Sequence, residues 1–190
     1  TVHRCDTSGE FTTAVANCAR GDVIVLESGF TFTVNALSIP AKSGSGWVYV
    51  VSGDVWDSLF PKAPGKRIAS SNVGDMAKVQ STSANTPVFI FNHGASHPTH
   101  WRFVGLEITS TQNQQQGLIE IRGDTATTAN LPEWIGFDRC YIYGTPGSVN
   151  VRRGILMDGK SCFAVDCDIR GIRDAANSDS QAISIVNAAG

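Results

Sequence analysis

The sequence predicts an all-β fold, a right-handed parallel β-helix (a solenoid) closed at its N-terminal end by one short capping α-helix. Three observations carry that expectation. Two strand-like patterns recur in the same order, at nearly the same step, along the C-terminal half. A short amphipathic stretch near the start runs through Gly21-Asp22 straight into a β-branched strand. The composition is poor in charge and rich in turn formers, with 17% charged residues and 19 glycines in 190 residues. Soluble proteins carry about 25% charged residues, so much of this surface must come from Ser, Thr, Asn, Gln and Gly. Such a surface suits short strands joined by frequent turns.

The amphipathic stretch is Ser8 to Gly21, with arm and cap together covering 1–21. Phe11, Ala14, Val15 and Cys18 fall at i, i+3, i+4 and i+7, one face of a helix. Thr7 or Ser8 can cap its start, and Gly21 can take the left-handed conformation that ends it. Val23–Leu26 then reads as a compact strand between Asp22 and Glu27-Ser28-Gly29. Further strands are expected at Phe32–Val34, Trp47–Val51, Met76–Gln80 and Pro87–Phe91. The Pro-, Gly- and Lys-containing stretch 57–75 reads as a loop insertion and not as a domain boundary.

The recurrence is clearest after residue 100. Phe103–Ile108, Phe137–Ile142 and Val165–Ile169 share one form, and aligning Leu106, Cys140 and Cys167 gives steps of 34 and 27 residues. A second strand type follows each, and aligning Gly117, Gly154 and Ala182 gives steps of 37 and 28 residues. Two strand types advancing together imply one coil per step, with coils stacked at about 4.8 Å. The longer first step is explained by a loop insertion at 124–133. Inward ladders are expected for Leu106, Cys140 and Cys167 and for Ile108, Ile142 and Ile169. Neither a Leu-x-x-Leu-x-Leu pattern nor helical periodicity is present, which argues against leucine-rich and helical repeats of similar period. Residues 1–190 read as one domain, with coils over 22–190.

The order helix, Gly21-Asp22, strand, Gly29 resembles the N-terminal cap and first coil of pectate-lyase-like β-helix proteins. Phe137 to Gly144, Arg153-Gly154-Ile155 and Asp179-Ser180-Gln181-Ala182-Ile183 resemble uncharacterised, mostly bacterial members of the same superfamily. The resemblance covers most of the chain, and its motifs are structural. It implies a scaffold that handles polysaccharide. It also implies a C-terminal cap, yet only Asn187-Ala188-Ala189-Gly190 follow the strand Ile183–Val186. The open last coil is therefore expected to be covered by residues outside these 190 or, through self-association, by a neighbouring chain.

The formal net charge is −2 and the longest basic run is Arg152-Arg153, which sets a nucleic-acid role aside. No apolar run approaches the 18 or more residues of a membrane span. The chain begins at Thr1 with no signal-peptide pattern, and it holds five cysteines. Both features suit an exported protein, secreted or at a cell or particle surface.

Several residue groups carry candidate chemistry. Cys5 and Cys18 are expected to form a disulfide between the arm and the cap helix, whereas Cys140 and Cys167 are expected inside as free thiols; Cys162 and Cys167 lack zinc-site spacing. His93, His97 and His100 are candidate substrate-binding residues, although Gly94 and Pro98 between them favour a solvated turn. A His-Gly pair also occurs in polygalacturonases, but their Asn-Thr-Asp, Asp-Asp and Arg-Ile-Lys motifs are absent here. Asp166, Asp168 and Asp179 are candidate Ca²⁺ ligands, and Arg170, Arg173 and Asp174 candidate catalytic residues. Carboxylates beside arginines on an outer face can hold Ca²⁺, neutralise a uronate and take the proton α to its carboxylate. The pectate-lyase Trp-Ile-Asp-His and Arg-x-Pro-x-x-Arg patterns are missing, and the competing reading is a solvated face with local salt bridges. Trp56 is a candidate sugar-stacking residue, while Trp101 and Trp134 are expected to pack at one corner of successive coils.

Three function classes follow from these residues. The expectation is an extracellular or surface β-helix associated with polysaccharide, binding it, with a polysaccharide lyase or glycoside hydrolase as the enzymatic version. The alternative is a structural or assembly module, such as a filament, fibre or virion spike component, without catalysis.

Overall fold

The computed structural model describes residues 1–56, 69–123, 127–145, 149–175 and 179–185. The chain opens with strand β1 (Val2–Cys5) and then helix α1 (Ser8–Asn17). Thr7 starts the helix through a capping box. Its hydroxyl accepts from the Glu10 N–H at 3.2 Å, and the Glu10 carboxylate accepts from the N–H groups of Asp6 and Thr7 at 3.0 and 3.3 Å. Phe11, Ala14 and Val15 are the buried face, and the Phe11 ring meets Phe32 and Phe89 edge-on. The helix ends at Asn17, before Gly21, which instead takes a φ of 93° to turn the chain into the next strand.

Among the described residues the chain then makes five circuits of three short strands. These are β2 (Val23–Leu26), β3 (Thr31–Thr33) and β4 (Leu37–Ser38); β5 (Val48–Ser52), β6 (Ala77–Ser81) and β7 (Phe89–Phe91). β8 (Thr99–Val104), β9 (Leu106–Ser110) and β10 (Ile119–Ile121) follow, then β11 (Glu133–Asp138), β12 (Tyr141–Tyr143) and β13 (Arg153–Met157). The last are β14 (Phe163–Val165), β15 (Asp168–Arg170) and β16 (Gln181–Ile185). Each circuit visits three sheets in rotation, giving the orders β1-β2-β5-β8-β11-β14, β3-β6-β9-β12-β15 and β4-β7-β10-β13-β16. The strand pairs in all three sheets are parallel. The expected mostly-β, parallel architecture is what the chain adopts.

Period two in each strand sends alternate side chains between the sheets. In the second sheet Phe32, Val79, Ile108, Ile142 and Ile169 stand in one inward row. In the first, Trp101, Phe103 and Phe137 stack with interplanar angles of 18° and 15°, and Phe89 and Phe91 close on Phe103 from the third sheet. The predicted alignment of Leu106, Cys140 and Cys167 is the observed register, since Tyr141 pairs with Glu107 and with Asp168.

Four expectations are corrected. Each segment read as one strand around Leu106, Cys140 and Cys167 bends at a left-handed residue: Gly105, Arg139 and Asp166 have φ of 63°, 52° and 52° and turn the chain from the first sheet to the second. The Gly117–Gly154–Ala182 alignment is one residue out at its first member, because Ile119 pairs with Ile155 and so sets Leu118 beside Gly154. Trp101 points into the core, its Nε1 donating to the Pro40 carbonyl at 3.1 Å, while Trp134 stays at the surface. Cys5 and Cys18 are free, buried thiols and not a disulfide. Cys5 lies in register with Leu26 at the edge of the first sheet, and Cys18 caps the end of α1 with its Sγ directed at the Val15 carbonyl. Burial is the main influence raising both thiols, Cys5 to about 11. Residues 57–68 and 124–126 of the two expected insertions, and residues 186–190, lie outside the described residues.

Candidate functional site

The outer face of the third sheet carries a groove of about 490 Å³. Its position follows from register. Ile90, Glu120, Leu156 and Ser184 form one outward row across four circuits. One pleat further along lie Asn92, Arg122 and Asp158, set by hydrogen bonds from the Arg122 N–H to the Phe91 carbonyl (2.9 Å) and from the Asp158 N–H to the Ile121 carbonyl (3.1 Å). Arg153, at the start of β13, closes the other end beside Gln116, and His93 forms part of the wall. At about 3.3 Å per residue, the Arg153 and Asp158 rows stand about 16 Å apart along the strand.

Glu120 faces outward yet is only 3% exposed. Arg122, two residues on and therefore on the same face, folds back over it, with Nε at 2.7 Å and Nη2 at 2.5 Å from one carboxylate oxygen. The guanidinium thus holds the enclosed carboxylate through two short charge-assisted contacts. Arg153 is held more loosely. Its contacts are the Gln116 carbonyl and the Asp179 carboxylate, each at 3.5 Å, and its buried Nε has no partner among the described residues. Asp179 sits closer to Arg152, at 2.9 Å. The groove thus offers one satisfied ion pair, one guanidinium with donors to spare, amides from Asn92 and Gln116, and an apolar patch at Leu156.

The predicted site residues are spread over several faces. His93 lines the third-sheet groove, while His97 turns its Nδ1 to the Gly94 carbonyl at 2.8 Å. His100 lies on the first sheet between Trp47 and Trp134, with ring centroids 5.3 and 6.1 Å away. Burial, then the Arg20 charge, push its imidazole below the ordinary range. Trp56 is exposed beside a first-sheet cavity of about 370 Å³ that also holds Tyr49, Arg102 and Asp138. There the Asp138 carboxylate is taken up by Arg102 at 2.6 Å and Arg139 at 2.6 and 2.9 Å.

The expected calcium and catalytic groups do not converge. Asp166 occupies the corner before β15, Asp168 is bound by Arg170 through both oxygens, and Asp179 faces Arg152 and Arg153. No cluster of three potential metal ligands occurs among the described residues. Arg170 also lies over the Tyr141 ring, and the Asp168 hydrogen bond pushes its guanidinium above the ordinary range, the wrong direction for a proton acceptor. Arg173 forms an isolated bridge to Val151, and the Asp174 N–H donates to the Ser180 hydroxyl at 2.8 Å. Of the proposed metal and catalytic residues, Asp179 reaches the third-sheet groove through its contact with Arg153.

Glu120, Arg122, Arg153 and Asp158 are the site residues that sequence reasoning passed over. The alternation Ile119-Glu120-Ile121-Arg122 already places both charges on one strand face. What the sequence does not show is that β7, β10 and β13 are neighbours.

No protein-family model and no curated protein sequence matches the chain. Among solved structures it is similar to an alginate lyase from Paenibacillus sp. str. FPU-7, with a TM-score of 0.55 and 14% sequence identity over 98% of this chain and 74% of that one. At that identity the likeness speaks for the fold, a mostly β chain of parallel sheets.

Proposed function

We propose that the chain is an extracellular right-handed parallel β-helix that binds an acidic polysaccharide along the outer face of its third sheet. The observation that carries this reading is Arg153, whose guanidinium lines an open groove with weak contacts and a buried Nε that has no partner among the described residues. A planar guanidinium with free donors matches a carboxylate in two parallel charge-assisted hydrogen bonds. Asn92 and Gln116 are suited to sugar hydroxyls, and Leu156 to the apolar face of a sugar ring. The fold-level likeness to an alginate lyase agrees with a carbohydrate ligand.

Titration with uronate oligosaccharides, against neutral ones of equal length, tests the reading. Tighter binding of the acidic series is expected, weakening with added salt. Arg153→Ala should lower that affinity by roughly tenfold or more, the effect of losing a charged hydrogen bond, and leave the weak neutral binding unchanged. Equal affinity for both series, or an Arg153→Ala variant that binds as the parent does, would overturn it. Ultraviolet absorbance from unsaturated chain ends in the same samples separates cleavage from binding. His93 is the imidazole that lines the groove, so any cleavage should be lost in His93→Ala.

A further inference from the structure

Cys140 and Cys167 stand one above the other at the corner between the first and second sheets, on the fourth and fifth circuits. The neighbouring pair Tyr141 and Asp168 fixes that register, and the Asp168 N–H donates to the Cys140 carbonyl at 3.0 Å. Adjacent strands bring Cα atoms to about 4.8 Å, inside the span of roughly 4.4 to 6.8 Å that a disulfide bridges. The Cys140 N–H points at the Cys167 sulfur at 3.4 Å, while the two thiols are directed at the Phe103 and Phe137 carbonyls of the preceding circuits, at 3.5 and 3.4 Å. Cys140 is fully buried, whereas Cys167 is only partly so. The pair therefore joins one partly exposed cysteine to one that is fully buried.

We infer that Cys140 and Cys167 form a thiol–disulfide exchange site for a small soluble disulfide, with Cys167 as the attacking sulfur and Cys140 as the resolving one. The Cys167 thiolate attacks one sulfur of the reagent, the reagent's S–S bond breaks, and one thiolate leaves to be protonated by water. The Cys140 thiol then gives its proton to solvent, attacks the Cys167 sulfur and expels the second thiolate. Two protein thiols are oxidised, and one disulfide is reduced to two thiols. The local electrostatics agree with this division of roles: the Cys140 hydrogen bond is the main influence holding Cys167 below the ordinary thiol range, while burial pushes Cys140 well above it. Cys162 and Cys5 are each raised to about 11 by burial and are poor competitors.

The test is incubation of the 190-residue chain with excess oxidised glutathione. Titratable thiols should fall from the five of the reduced chain to three, with a Cys140–Cys167 peptide in the non-reducing map. The melting temperature should rise by about 5 °C or more, because the bridge ties the fourth circuit to the fifth. Cys140→Ser should trap a single glutathione adduct on Cys167, whereas Cys167→Ser should leave Cys140 unmodified. Should either variant fail to fold, brief alkylation of the parent chain decides, with Cys167 expected to react first. Five persisting thiols, a Cys5–Cys18 bridge in place of this one, or Cys162 reacting ahead of Cys167 would overturn the assignment.

Discussion

The third and fifth circuits place similar side chains at matching positions but do not bury them alike. Ile108 on the third is fully buried, whereas Ile169, two places along the same inward row, is partly exposed. In the third sheet Ile119 is fully buried, while Ile183 is 38% exposed. In a stack of circuits each side chain is covered by the strand on either side, and among the described residues the fifth circuit has a neighbour on one side only. Burial energy is thus graded along the stack, although the inward pattern is uniform.

The sharpest test of that gradient is the aromatic centre. Phe103 touches rings from Phe89, Phe91, Trp101 and Phe137, so Phe103→Ala is expected to cost about 3–5 kcal/mol in urea unfolding. Ile169→Ala should cost about 1–2 kcal/mol, toward or below the low end for a buried isoleucine, because part of that side chain already meets water. Equal losses from Ile108→Ala and Ile169→Ala would break the comparison and show the fifth circuit to be covered as well as the third.

The same contrast explains what was legible in the sequence. The inward rows could be read because apolar residues at period two leave a trace that repeats in each circuit, as Leu106, Cys140 and Cys167 do. The helix could be read from Phe11, Ala14 and Val15. The corner could not: Arg139 and Asp166 adopt left-handed backbone without glycine, so one continuous pattern hides a change of sheet. That hidden corner leaves Asp166 at the turn and Asp168 on β15, although the continuous pattern reads as one strand through both. The groove was hidden for a different reason. Glu120 and Asp158 are 38 residues apart, and they become neighbours only through pairing between circuits.

The N-terminal end offers the opposite case to the fifth circuit, since α1 lies over the inward rows and is held there by polar contacts. Thr7→Ala removes the hydroxyl that accepts the Glu10 N–H, and about 1 kcal/mol of stability should go with it. A smaller loss would mean that packing of Phe11 alone seats the helix, and circular dichroism melts of the two chains measure the difference.

The smallest expected effect at neutral pH lies at Asp22, where the arm, the helix exit and β2 meet. Its carboxylate accepts from the Ala19 N–H at 3.0 Å, from the Thr1 amine at 2.7 Å and lies 3.1 Å from the His3 Nε2. These partners, the Ala19 N–H foremost, hold the carboxyl well below the usual carboxylate range. The folded chain therefore keeps Asp22 charged at a pH where the unfolded chain has protonated it. The stabilisation is complete above the ordinary aspartate value near 4 and is lost as pH falls below it. Asp22→Asn retains an oxygen for the Ala19 N–H but cannot titrate. The parent chain should melt higher than Asp22→Asn at pH 6, and the gap should close as pH is lowered from 5 towards 2. A gap that stays constant over that range would show that Asp22 acts at this junction through hydrogen-bond geometry alone and not through its charge.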